Sequence, residues 1–349
     1  MNIALIVPAL KNAGPVRVAH DLAWEYKRMG HSVEVLYLDE GSGLLMPDAH
    51  RIGIQRWLDT STYDIVHTHG IRPDAAVWLH RDSIRCPCIS TAHCYAREDF
   101  RYTYGNFVAT WGPELWQILR SRHDVLVALS QDMANYYSRH GRDHRWTYVY
   151  NGIPLHSENP QRPDSGNDLD RINELKSHCR VIGSVAVLTR IKGLDQILRV
   201  LPDFGDLGLV VVGDGPELMG LQMLATRLAV ASRCLFLGAR SHGSAYMSLF
   251  DMYGLPSRSE GFPLALLEAA RAGVPVVASA LPALKEAFSN SEVAFFMPDD
   301  LTSLKAAIQE CVTHSAAYAT NLHAKYLTSF TSTHMAEQYI AIYEKALHV

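Results

Sequence analysis

The stretch SRSEGFPLALLEAARAGVPVVAS, residues 257–279, constrains the fold more than any other part of this chain. It reads as loop, helix, turn and buried strand. Gly261 lets the backbone approach a neighbour closely, and Pro263 suits a first helical turn, where a missing N–H costs nothing. Leu264, Leu267 and the Ala270-Arg271 pair follow at helical spacing, and Gly273 is a natural stop. Val274, Val276 and Val277 then make the short apolar run of a parallel strand covered on both faces. A helix leading into such a strand is half of a parallel crossover, so the chain belongs to the α/β class.

Two carboxylates frame this helix, Glu260 just before it and Glu268 within it. The first-turn N–H groups near Gly261, Phe262, Pro263 and Leu264 lie between them. A helix start offers unpaired donors and the positive end of the dipole, which together favour phosphate. The segment therefore combines a phosphate cradle with two acceptors for hydroxyl groups, as a nucleotide diphosphate sugar requires. The plainer alternative is an ordinary strand–helix–strand unit with solvated glutamates.

A length of 349 residues suggests two domains. Hydrophobic residues at 48% and charged ones at 19% allow each domain a core. The net charge of −4 argues against a nucleic-acid partner. Six scattered cysteines include no C-x-x-C pair, and the 17 histidines show no H-E-x-x-H spacing, so no metal site is expected. A reduced, cytoplasmic protein is the simplest reading. The N-terminal residues do not read as a signal peptide, since they have no charged start and Lys11 interrupts the apolar run, so none is expected here. No segment approaches the ~20 apolar residues of a membrane span.

Residues 2–8 read as a first strand, Gly14 opens a helix over about 16–29, and residues 32–38 form the next strand, the opening of a Rossmann-like domain. Strands at 64–69 and 88–92 end in His67, His69 and His93, at the strand ends where ligands gather in open parallel sheets. Histidines at such positions are most often structural, and position alone does not separate the three. Residues 97–122 interleave arginines with aromatics, which suits an anionic lipid surface or a sugar acceptor; a loop packed on its own domain fits equally. Strands at 125–129 and 146–149 follow, Ser130 caps a helix, and Asn151-Gly152 reads as a turn.

Residues 156–170 have almost no apolar side chains and read as a linker. Strand–helix alternation then restarts, which implies a second doubly wound domain. Gly213-Asp214-Gly215-Pro216 leads from a strand into a helix and reads as a structural turn. It matches neither a Walker loop nor a complete G-x-G-x-x-G. Residues 335–347 form an amphipathic helix carrying Tyr339 and Tyr343. The expected division is 1–158, a linker at 159–170, a second domain at 171–330, and a last helix at 331–349.

Pro256-Ser257, Glu260-Gly261-Phe262-Pro263, Glu268-Ala269 and Ala272-Gly273-Val274-Pro275-Val276-Val277-Ala278 resemble the signature of the retaining glycosyltransferases of family 4. The resemblance extends over nearly the whole chain and implies the GT-B fold, two Rossmann-like domains facing a deep cleft. It implies a retaining hexosyltransferase that uses a UDP- or GDP-linked sugar, no cofactor and no metal. The acceptor would be a glycan or lipid-linked glycan, as in bacterial lipopolysaccharide, O-antigen or capsule; peripheral contact at the inner membrane is expected instead from the residues of 97–122 themselves. The last helix would return to the first domain.

By the same resemblance, Glu260 orients sugar hydroxyls and Glu268 the ribose, while His93 and Gly14 meet the sugar and phosphate. Asn151 marks the passage between the domains, and Gly213, Ala239 and Arg240 lie near the nucleotide. Lys192 and Arg190 neutralise the departing diphosphate, where positive charge is needed. The family places an arginine about five residues before the Lys192-Gly193 pair, and this chain has Val187 there. That departure keeps alternatives open: a GT-B epimerase or hydrolase, or a non-catalytic nucleotide-sugar-binding partner. A Rossmann oxidoreductase is the remotest of them.

Overall fold

The computed structural model describes residues 1–41, 46, 48–52, 62–141, 145–156 and 166–348. The chain divides into two compact units. One comprises Met1–Pro154, Gly261–Pro263 and Phe330–Val349, the other Leu155–Glu260 and Leu264–Ser329.

In the first unit the strands are β1 (Asn2–Ala9), β2 (Ser32–Asp39), β3 (Ala49–Arg51), β4 (Ile65–His69), β5 (Cys88–Thr91), β6 (Val125–Ala128) and β7 (Trp146–Tyr148). Among the described residues they form one parallel sheet in the order β3-β2-β1-β4-β5-β6-β7. Its helices are α1 (Gly14–Arg28), α2 (Ile71–His80), α3 (Ala96–Arg120) and α4 (Gln131–Gly141). The central strands are apolar throughout, with Ile3, Leu5, Ile6 and Ile65 fully buried, because helices cover both faces.

In the second unit the strands are β8 (Arg180–Val185), β9 (Leu207–Val212), β10 (Cys234–Gly238), β11 (Met252–Leu255), β12 (Val276–Ser279) and β13 (Ala294–Phe296). Among the described residues they too are parallel, in the order β10-β9-β8-β11-β12-β13. The helices are α5 (Gly166–Lys176), α6 (Leu194–Val200), α7 (Leu218–Arg227), α8 (Leu264–Arg271), α9 (Pro282–Ala287), α10 (Leu301–Thr313) and α11 (Ser315–Ser329). Both sheets reverse direction once, beside β1 and beside β8, which is the doubly wound order with its ligand-gathering switch point.

The last helix, α12 (Ser332–Leu347), belongs to the first unit. It packs on α1, and the Tyr26 hydroxyl donates to that of Tyr343 at 3.0 Å. Thr331 caps it, accepting from the His334 N–H, and Ile153 bridges to Thr331 in parallel.

Three expectations change. The linker at 159–170 lies outside the described residues through 165, and from Gly166 the chain is helical. Polar composition misleads there because Asp168 is buried, accepting two hydrogen bonds from Arg240 and one from Tyr246. The segment Gly261–Pro263 joins the first unit instead of the second. Phe262 is buried between Tyr150 and Phe330, at centroid distances of 5.0 and 5.4 Å.

Residues 97–122 do not form a loop. They lie almost wholly in α3, which breaks at Gly105 (φ 83°). Phe100 stacks on Trp116 at 5.9 Å, a contact that a straight helix cannot make across sixteen residues, so the two halves fold back on each other.

Candidate active site

In the second unit, the chain leaves β8 and makes a tight turn over Arg190, Ile191 and Lys192 before α6. Gly193 closes that turn in the left-handed region (φ 64°), and a Cβ there would lie 2.1 Å from the Pro256 carbonyl oxygen. The turn is thereby pinned to the segment leaving β11. Gln196 reinforces it, donating to the Pro256 carbonyl at 2.8 Å and accepting from the Asp299 N–H at 2.7 Å. Arg258 adds hydrogen bonds to Asp195, Asp299 and the Arg190 carbonyl.

This scaffold sets Lys192 against Glu260. Lys192 Nζ donates to Glu260 Oε1 at 2.7 Å, and Ser257 Oγ donates to the same oxygen at 2.6 Å. Glu260 is nearly covered and Lys192 partly exposed. An ion pair reaching solvent contributes about 1 kcal/mol or less to stability, so folding alone does not explain it. Arg190 is exposed, and its side chain has no partner among the described residues. Glu268 is buried on α8. Both glutamates act on Tyr253, whose buried hydroxyl donates to the Val185 carbonyl at 3.3 Å. Burial first, with the charges of Glu268 and Glu260 adding to it, holds the Tyr253 phenol well above its ordinary pKa, and the hydrogen bond to Val185 offsets only part of that rise. The arrangement offers one paired cation, one free cation and an acidic acceptor beside the opening of α8. It is suited to an anion attached to a hydroxyl-bearing group.

Of the other expected nucleotide contacts in this unit, Gly213 and Arg240 already have partners in the fold. A Cβ on Gly213 would meet the Ala186 carbonyl oxygen at 1.8 Å, so that glycine serves the crossing of two turns. Ala239 is exposed. Arg240 is committed to Asp168 through two hydrogen bonds, at 2.7 and 3.0 Å. That pairing is the leading cause that raises the Arg240 pKa and lowers that of Asp168. Arg240 thereby anchors α5. Val187 is 66% exposed, an apolar side chain where the resembled family carries charge.

In the first unit, His93 follows β5 and His69 ends β4. Their rings are linked by His69 Nδ1 and His93 Nε2 at 3.0 Å. Burial, then His69 and the charge of Arg120, hold His93 well below the ordinary histidine pKa, and burial takes His69 down to about 3. Gly261 meets His93 directly: a Cβ on it would lie 2.4 Å from the His93 carbonyl oxygen. The close approach that Gly261 permits is thus to the protein's own backbone. Asn151 is buried and donates to the Phe262 carbonyl at 2.7 Å. Asn151, Phe262 and the buried Pro263 therefore build this junction, and the Phe262 side chain is not free for a substrate. Gly14, by contrast, opens α1 with nothing within 4 Å of a Cβ and is exposed, so there is room beside its backbone, although the next amides, Val16 and Arg17, already donate to the Ala13 carbonyl.

Sequence reasoning missed Gln196, Arg258 and Tyr253. Arg258 stands two residues before Glu260, and a basic residue inside that motif was its one signal. Gln196 carried none, because an amide on a short helix looks ordinary until both its ends are seen to be bonded. Among the described residues no group of three or more His, Cys, Asp or Glu side chains is arranged to hold a metal ion.

Two family models match the chain: Glycosyltransferase Family 4 over residues 13–157 and Glycosyl transferases group 1 over residues 167–324. The chain is 29% identical to the O-antigen biosynthesis glycosyltransferase WclY of Escherichia coli, over 98% of each chain. It is 25% identical to the D-inositol 3-phosphate glycosyltransferase of Mycolicibacterium smegmatis, over 82% of this chain and 68% of that one. Among solved structures it is similar to HepE of Anabaena, crystallised with UDP, with a TM-score of 0.80 and 19% identity over 99% of this chain and 100% of that one.

Proposed function

Because the chain belongs to the group 1 glycosyltransferases of family 4 and has their GT-B fold of two Rossmann-like units, we propose that it transfers a hexose with retention from a nucleotide diphosphate sugar to a hydroxyl of a glycan or lipid-linked glycan. The likeness to WclY supports a place in the synthesis of a bacterial surface polysaccharide such as an O-antigen. HepE was crystallised with UDP-glucose, which supports a UDP-linked donor ahead of a GDP-linked one.

The observation that carries this reading is Lys192 held against Glu260 and Ser257 beside the opening of α8. Two negative charges build on the leaving diphosphate as the glycosidic bond breaks. Lys192, Arg190 and the amides near Gly261 and Leu264 take up that charge. Glu260 accepts from hydroxyls of the sugar, and Glu268 reads the ribose. The first unit supplies the acceptor site, with His93 toward the sugar and the open backbone at Gly14 toward the phosphate. The bond from the anomeric carbon to the phosphate oxygen breaks as the acceptor oxygen attacks from the same face. The acceptor's proton passes to the departing phosphate. The cations named here carry the charge without a metal, so activity should persist in excess chelator.

Contact with the cytoplasmic face of the membrane is part of this proposal. Tyr104, Phe107, Trp111, Leu115 and Ile118 are each 43% exposed or more, and the last four recur at helical spacing on one side of the second half of α3. The charge contribution is smaller than the sequence suggests. Arg120 is buried against Asp74, and Arg122 pairs with Asp82. Apolar insertion of the stripe carries the contact, with Arg97 and Arg101 beside it. Among the described residues no helix is long and apolar enough to cross a membrane.

A second reading, a nucleotide-sugar binder with little turnover, is favoured by the apolar Val187. One experiment separates the two. UDP- and GDP-sugars are screened by thermal shift, since a ligand that binds only the folded state stabilises it; the best donor is then assayed for transfer to lipid-linked acceptors with EDTA present. Transfer supports the enzyme, binding without transfer supports the second reading, and no stabilisation by any donor removes both.

A further inference from the structure

Behind His93 stands His69, whose role rests on the reading of His93 as sugar-facing. β4 and β5 are hydrogen-bonded neighbours with His69 opposite Thr91, so His69 reaches past the end of β5 to the ring of His93. The two imidazoles lie 5.2 Å apart between centroids, joined by one hydrogen bond between His69 Nδ1 and His93 Nε2. A neutral imidazole has a single N–H, and burial holds both rings neutral at physiological pH. One ring donates, the other accepts, and the geometry says which.

His69 is fully buried, and its other nitrogen, Nε2, is sealed from solvent with no partner among the described residues. Were the proton on Nε2, a buried donor would be orphaned, the costlier and rarer defect; a spare buried acceptor is better tolerated. The proton therefore sits on Nδ1 and is donated to His93 Nε2. His93 must then carry its own proton on Nδ1. That atom has no partner among the described residues and is not among the sealed polar atoms, so it is open to a ligand.

The pair is held from behind. The His67 ring packs on His69 at 4.2 Å between centroids. His67 is itself fixed at both nitrogens, to the Tyr343 hydroxyl at 2.6 Å and the Thr91 hydroxyl at 2.8 Å. Thr91 is bonded in turn to Tyr339 at 3.0 Å, so α12 locks the ring plane of His69 through His67.

We propose that His69 is a positioning residue that fixes His93 as the Nδ1–H tautomer, so that His93 meets the bound sugar as a hydrogen-bond donor to a hydroxyl oxygen. A free imidazole in water favours the opposite tautomer, so the protein's choice is measurable.

The test is nitrogen-15 NMR of histidine-labelled full-length protein at neutral pH, with His93 assigned through His93→Gln. The wild type should show His93 protonated at Nδ1. His69→Leu should move the proton to Nε2, and His69→Asn, whose amide can still donate, should keep it at Nδ1. A wild-type proton on Nε2, or an unchanged tautomer in His69→Leu, overturns the proposal; the wild-type spectrum decides it even where a variant fails to fold. Calorimetry with UDP-glucose and with UDP tests the underlying reading separately. His69→Leu should weaken UDP-glucose by roughly tenfold, the scale of one hydrogen bond, and leave UDP unchanged. A switched tautomer with unchanged UDP-glucose affinity would leave His69 as the positioning residue and remove His93 from the sugar.

Discussion

The two units share one strand order and differ in what they place at the strand ends. The first unit ends β4 and β5 in buried, neutral, mutually bonded groups: His67, His69, Thr91, His93 and the tyrosines of α12. The second surrounds its switch point with charge, Lys192, Glu260, Arg190 and Arg258, on turns pinned by Gly193 and Gln196. A doubly wound sheet fixes where a ligand goes but not its chemistry. Neutral donors and acceptors suit the hydroxyls of sugars, whereas paired and free cations suit a diphosphate. On the proposed function, one architecture would serve acceptor and donor alike, and the difference would lie in a handful of residues after β4, β5, β8 and β11.

The largest effect expected from this contrast is on stability. The first unit's main buried charge is the Asp74–Arg120 pair at 3.1 Å, both groups essentially inaccessible, with Trp116 Nε1 and Ser90 Oγ also donating to Asp74. Burial alone would raise the Asp74 pKa, but Arg120, His123 and the hydrogen bonds from Thr68 and Trp116 outweigh it and lower it. Asp74→Asn leaves Arg120 uncompensated and should cost ~3–5 kcal/mol, read by urea denaturation. A loss under 1 kcal/mol would mean the pair is not sealed.

Next come the charges of the second unit. Lys192→Ala and Glu260→Gln should each lower transfer by ~10²-fold or more, the scale of one transition-state contact, with little change in melting temperature. Near-normal rates in both would remove the site assignment. Arg190→Ala should cost less, roughly tenfold, because Arg190 is exposed and the screening of solvent weakens it. Val187→Arg should raise turnover if the apolar residue is what attenuates it.

Acid should separate the units. His69 titrates near 3 and His123 near 4, with His67 and His93 also lowered, all from an ordinary value of 6.5. Below about pH 6.5 the unfolded chain takes up these protons and the folded unit does not. Its stability therefore falls with pH, by roughly 1.4 kcal/mol per unit for each proton. His178, His242 and His314 of the second unit are exposed. Calorimetry between pH 7 and pH 5 should show the first unit melting progressively earlier, and two transitions moving in parallel would contradict this. Smallest is the surface effect: Phe107→Ser with Trp111→Ser should reduce sedimentation with anionic vesicles several-fold while leaving soluble-donor binding intact.

Much of this contrast was legible in the sequence. Apolar runs such as those of β1, β9 and β12 are readable because strands covered on both faces need no alternation. The motif from Glu260 to Ala278 placed α8 correctly between its loop and β12. What was not legible depends on distant partners. Lys192 meets Glu260 across sixty-eight residues, and nothing local announces it. Asp168 looks solvated until Arg240 is brought to it. Phe262 sits in the most telling motif of the chain yet serves an aromatic cluster of the first unit. Arg120 belonged by composition to a basic surface and by structure to the core.

Crystals soaked with UDP and, separately, with GDP decide whether the second unit receives a diphosphate beside Lys192 and the opening of α8. Phosphate density is expected within hydrogen-bond reach of Lys192 Nζ and the first amides of α8 for at least one of the two. Ordered nucleotide elsewhere on the chain, with Lys192 still closed on Glu260, would contradict it.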